Sequence, residues 1–171
     1  NLRRNNAFEL HSLETYDKFF EITSSYIPKH LKKIVNLYHE KVCMSEFQSR
    51  ICTFYNQLPN ISPDFIYLDG PDIYNVKENI RGRSTRHPDS VPMSADILAI
   101  EHFLLPGTMI LIDGRTANAR FLKNNFQRNW SYFHDREDDV HYFEMLEMPL
   151  GEFNKKQIEY CLGSDWYKKL N

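Results

Sequence analysis

The sequence has no glycine before Gly70 and only 6 glycines in 171 residues. A loop that closes backbone amides on a cofactor phosphate needs glycines at fixed, short spacing. Any such loop is therefore expected upstream of Asn1, and the chain, which opens on Asn rather than Met, reads as N-terminally incomplete. Cysteine is scarce as well. Cys43, Cys52 and Cys161 are odd in number and far apart, which excludes a disulfide framework and a cysteine zinc site. They read as reduced thiols of a cytoplasmic protein. No apolar run approaches the roughly 18 residues of a membrane-spanning helix. The first six residues lack the apolar core of a secretory signal. With 21 Lys and Arg against 23 Asp and Glu, the net charge of -2 gives no electrostatic case for nucleic acid.

What is present is a chain that is 42% hydrophobic and 14% aromatic, enough for one domain with a packed core. Its centre is Phe65-Ile66-Tyr67-Leu68-Asp69-Gly70-Pro71-Asp72, a short apolar run bounded by Pro63 and Gly70-Pro71. That pattern predicts a buried strand ending in a turn. Met109-Ile110-Leu111-Ile112-Asp113-Gly114 repeats it. The two are expected side by side in a parallel sheet with both Asp side chains at one rim, where the loops of α/β sheets bind ligands.

Elsewhere, Phe8 and Leu10 alternate toward a strand ending near Glu14, and Thr15 can cap a helix carrying Phe19, Phe20 and Tyr26 as a core stripe. Val35 to Met44 and Arg50 to Tyr55 read as one long irregular strand or a hairpin. Residues 73–93 form a long loop or lid that concentrates Arg81, Arg83, Arg86 and His87. Ser94 can cap an apolar helix that stops at Pro106-Gly107. Arg115 to Phe126 reads as a further helix. Trp130 to His134 and Val140 to Leu146 read as an antiparallel hairpin, and residues 147–171 as a C-terminal extension with one short helix.

This order of elements resembles the class I S-adenosylmethionine-dependent methyltransferase family from its second strand onward, over roughly residues 7 to 146. The residues that carry the resemblance are Phe65 to Pro71, Leu104-Leu105-Pro106-Gly107 and Met109 to Asp113, with the hairpin matching the family's last two strands, one of them antiparallel. The resemblance implies an α/β, Rossmann-like, mostly parallel sheet with a C-terminal antiparallel hairpin, in a single domain over residues 1–171. The family's first strand, which lies between its second and fourth, and its glycine loop have no counterpart here.

The resemblance also implies S-adenosylmethionine as cofactor. Glu14 occupies the place of the acidic residue that binds the ribose hydroxyls, and Asp69 lies at the end of the fourth strand. A divalent metal such as magnesium is implied by relatives whose ligands match Asp69 and Asp113; Gly114 stands where a further ligand is usual, so Asp72 or Asn118 would have to substitute. The alternative for both Asp-Gly pairs is turn formation without chemistry. Asp69 and His87 are the catalytic candidates, and Asp72, Arg81, Arg83, Arg86 and Arg115 the substrate-binding ones, because arginines suit phosphate or carboxylate. His102 reads as a packed structural histidine, and His134 and His141 as ordinary surface or half-buried residues. The expected function is methyl transfer to a polar small molecule, a sugar or an anionic metabolite. The rivals are a non-catalytic binding or scaffold module and a sugar-nucleotide enzyme. The partner expectations are a small-molecule substrate and a homo-oligomer, with neither nucleic acid nor membrane.

Overall fold

The computed structural model describes residues 8–71, 76, 78–85, 87, 90–91 and 93–170. Over these the chain is a mixed α/β protein with four α-helices and sheets of both parallel and antiparallel strands. Contacts divide it into two compact units, one built on Ile61–Gly70 and Ile97–Asn171, the other on Ala7–Asn60 and Pro71–Asp96.

The first unit holds a four-stranded sheet of β5 (Phe65–Leu68), β7 (Met109–Asp113), β9 (Val140–Met145) and β8 (Trp130–Asp135), in that order. β5 and β7 are parallel, with Phe65 opposite Met109 and Leu68 opposite Ile112, so Asp69 and Asp113 emerge at the same rim. β9 is antiparallel to both β7 and β8. The reason is local: a four-residue connection between β8 and β9 is far too short for a parallel crossover. α3 (Thr116–Asn125) follows β7 and contributes Ala119 and Leu122 to a core with Ile110, Ile112, Phe143 and Met145. Phe126 stacks on Trp130 at 4.7 Å and meets Phe143 edge-on at 5.4 Å.

The apolar helix expected before Pro106 splits into α2 (Asp96–Ile100) and a tighter 3-10 turn, Glu101–Phe103. Gly107 follows in the left-handed region at φ 89, and a Cβ there would lie 2.7 Å from Ile158 of α4 (Glu152–Leu162). Only glycine suits both conditions. α4 is fixed by its polar side chains: Asn154 donates to the Pro106 carbonyl at 2.9 Å, and Gln157 donates to Asp64.

The second unit contains β1 (Leu10–Glu14), α1 (Asp17–Tyr26) and β2 (Val35–His39), with β1 and β2 parallel and in register from Leu10–Val35 to Glu14–His39. A three-stranded sheet joins β3 (Val42–Phe47), β4 (Arg50–Tyr55) and the short β6 (Met93–Ser94). β3 and β4 form a hairpin turned by Gln48 and Ser49, both at positive φ (48 and 64), the geometry of a type I′ turn without its usual Asn or Gly. Val42, Met44 and Val76 are the core here, flanked by Ile51, Tyr55 and Ile80.

Four sequence expectations change. In place of one mostly parallel sheet, the described strands form three sheets, and antiparallel pairings equal the parallel ones. The α1 stripe is not core: no α1 residue is buried, and Phe19 and Tyr26 are 52% and 80% exposed. Thr15 does not cap α1, whose N-cap is Tyr16 without a side-chain bond. Ser94 lies in β6, and its hydroxyl donates to Asp96 at 2.9 Å.

Candidate functional site

The parallel pairing of β5 and β7 gathers a set of polar groups at the C-terminal rim of the first unit. Asp113 is exposed and accepts a hydrogen bond of 2.7 Å from the Tyr67 hydroxyl. That bond, made to the neutral phenol, raises the Tyr67 pKa above the ordinary tyrosine value. Arg115, the second residue after Asp113, turns back so that its Nε donates to the Asp69 carbonyl at 2.7 Å. The same Nε lies 3.9 Å from the Asp69 carboxylate. Asp69, Asp113 and Arg115 are thus brought together, each with a partner.

Glu14, Arg81, Arg83 and His87 belong to the other unit. Glu14 ends β1 and is half-buried. Arg81 pairs with Glu46 at 3.1 Å, and Arg81 and Gly82 turn the chain between Ile80 and Arg83 at positive φ. Arg83 and His87 are exposed. Asp72 and Arg86 lie outside the described residues. His102, expected to pack, is exposed on the 3-10 turn, and its neighbour Glu101 is buried instead.

A second polar cluster stands beside the rim, and the sequence reading passed over it. β8 and β9 pair His134 with His141, and the two imidazoles stack at 3.9 Å. His141, expected to be surface or half-buried, has no solvent exposure. The Thr116 hydroxyl, at the start of α3, donates to Asp139 at 2.9 Å and lies 3.0 Å from His141 Nε2. A hydroxyl has one proton, so with that proton on the Asp139 carboxylate the oxygen accepts from His141 Nε2–H. His141 Nδ1 then accepts from the Tyr132 hydroxyl at 2.9 Å. The result is a directed chain from Tyr132 through His141 and Thr116 to Asp139, which also accepts from His134 at 3.2 Å. The Thr116 and His134 bonds hold the Asp139 carboxyl below its usual range, and burial pushes the His141 pKa down. Gly114 N–H, bonded to the Asp139 carbonyl at 3.0 Å, ties the hairpin turn to the β7 rim. The signal for this cluster was the short polar turn: with Asp135 opposite Val140, the flanking residues His134 and His141 must share a face.

Neither protein-family models nor curated proteins nor solved structures give a match to this chain.

The three cysteines are free thiols, Cys52 buried and the others half-buried. Cys43, Cys52 and Cys161 are all raised by burial, Cys52 to about 11. A thiol needs a lowered pKa to act as a nucleophile at neutral pH. Among the described residues no helix is long and apolar enough to cross a membrane.

Proposed function

We propose that the chain carries a methyltransferase-like domain that uses S-adenosylmethionine to methylate a polar small molecule, sugar-like or anionic. One observation carries the reading: two parallel strands ending in Asp-Gly, followed by a strand pair in which β9 is antiparallel and inserted between β7 and β8. That is the arrangement implied by the resemblance for the fourth, fifth and last two strands.

The cofactor would supply an electrophilic sulfonium methyl, and Glu14 would hold its ribose through two hydroxyls. Arg115, at the rim of the first unit, would meet an anionic group of the acceptor in place of Asp69. Asp69 and Asp113 do not make a ready magnesium cage. A guanidinium stands 3.9 Å from one carboxylate, and a phenol occupies the other. The same self-paired rim favours the second reading, a methyltransferase-like module that binds without catalysis.

Titration calorimetry of the intact protein with S-adenosylmethionine and its demethylated product tests both. Binding of either ligand is expected, with Glu14→Ala weakening it more than Asp113→Ala. Absence of heat with both ligands in a folded protein would remove the methyltransferase reading. Equal or reversed effects of the two variants would count against Glu14 as the ribose-binding residue.

A further inference from the structure

We propose that His134, Asp139 and His141 form a binding site for a single divalent transition-metal ion of the zinc class. One donor atom from each of these residues lies within 4.8 Å of the others. Asp139 Oδ1 is 3.2 Å from His134 Nε2 and 3.7 Å from His141 Nε2. Donors held at about 2.0–2.2 Å from a tetrahedral ion stand about 3.3–3.6 Å apart, so these separations already bracket the required edge. Two imidazoles and a carboxylate suit zinc, cobalt or nickel and do not suit magnesium or calcium, which take oxygen ligands.

The surroundings are those of a built site. A ligating histidine is oriented by a hydrogen bond on its other ring nitrogen, and Tyr132 holds His141 Nδ1 at 2.9 Å. Thr116 orients the carboxylate from the opposite side. Metal binding needs two rearrangements. The His141 proton moves from Nε2 to Nδ1, where it donates to the Tyr132 oxygen, so the ring stays neutral and Nε2 gains its lone pair. His134 turns out of its stack, because lone pairs in two nearly parallel ring planes, 17° apart, do not converge on one ion. His134 is part-exposed and on a hairpin strand, so it is the ring that moves, while His141 stays fixed in the core. The proposal does not depend on the methyltransferase reading, whose implied metal positions are Asp69 and Asp113.

The test is metal uptake by the intact protein. Zinc titration is expected to give one equivalent, and cobalt(II) the visible absorption of a low-coordinate site with nitrogen ligands. His134→Ala and Asp139→Asn, both at positions with some exposure, should keep the fold and each weaken zinc by about tenfold or more. Tyr67→Phe, outside the cluster, should leave uptake unchanged. Excess magnesium should not displace the ion. Failure to take up stoichiometric zinc or cobalt overturns the proposal. So does uptake that survives in the His134→Ala/Asp139→Asn double variant, or that magnesium competes away.

Discussion

Among the described residues each unit buries one carboxylate almost completely, and the two are treated differently. In the first unit Glu101, 2% exposed, accepts from the backbone amides of Gln127 and Arg128 and from the Trp130 indole, all at about 3 Å. Arg128 completes the clamp. Its guanidinium donates to the Glu101 and Leu104 carbonyls and to Glu147, whose carboxyl is held below its usual range by that bond. In the second unit Asp96, 7% exposed, accepts from the Tyr55 amide, the Ser94 hydroxyl and its own backbone amide. Burial outweighs these donors and pushes its pKa up to about 6. Thr53, the β4 residue opposite Ser94 in the β4–β6 pairing, has a buried hydroxyl with no hydrogen-bond partner among the described residues. A buried charge is tolerated in proportion to the donors that replace water. By that measure the first unit is built around its carboxylate, and the second carries its carboxylate at a cost.

Three measurements sharpen or break this contrast. The largest effect is expected at Glu101. Glu101→Ala leaves three donors facing the cavity without an acceptor, at about 1–3 kcal/mol each before relaxation, so a net loss of about 3–4 kcal/mol is expected in a urea midpoint. A loss below about 1 kcal/mol would mean that the clamp is incidental.

Asp96 comes next. Its folded pKa of about 6 lies above the ordinary 3.8, so between those values the folded state holds a proton that the unfolded state has released. Stability contributed by the protonated carboxyl is therefore full below about pH 4 and lost as pH rises through about 6, on the order of 2–3 kcal/mol in all. Asp96→Asn keeps an acceptor for Tyr55 N–H and offers an amide proton to Ser94. It is expected to flatten the fall between pH 4 and 6 and to exceed the natural chain in stability at pH 7. A natural chain with flat stability over that interval would erase the distinction between the two carboxylates.

The smallest effect is expected at Thr53, which has 1% exposure. Thr53→Val replaces an unsatisfied hydroxyl by a methyl group of similar shape and should stabilise by about 0.5–1.5 kcal/mol in the same urea titration. Destabilisation there would show that the hydroxyl has a partner in solution, and that the second unit is better satisfied than its geometry states.

Glu101 also shows where reading the sequence stops. Ile97, Glu101 and Leu104 fall on one helical face, and all three are buried. The acceptor role of Glu101 was not legible, because its donors lie 26 to 29 residues away in sequence. The α1 stripe failed in the opposite sense. Phe19 and Tyr26 have helical spacing, yet spacing identifies a face without saying what covers it. At the His134–Asp139–His141 cluster the antiparallel pairing of β8 and β9 agrees with the hairpin expected from the sequence. The burial of His141 followed only from β9 lying between β7 and β8, with Thr116 and Tyr132 brought to its two nitrogens.

The strands themselves, with their Asp-Gly ends and the Gly107 break, were determined by the sequence. Short apolar runs, turn pairs and a glycine at positive φ are local matters of sterics and hydration. Tertiary structure decided which polar groups share a neighbourhood. Register set Tyr67 on Asp113, strand insertion buried His141, and the return of Gln127–Trp130 to the 3-10 turn made Glu101 a clamp. These are long-range pairings whose free energy depends on burial and donor geometry, quantities that no local pattern of residues contains.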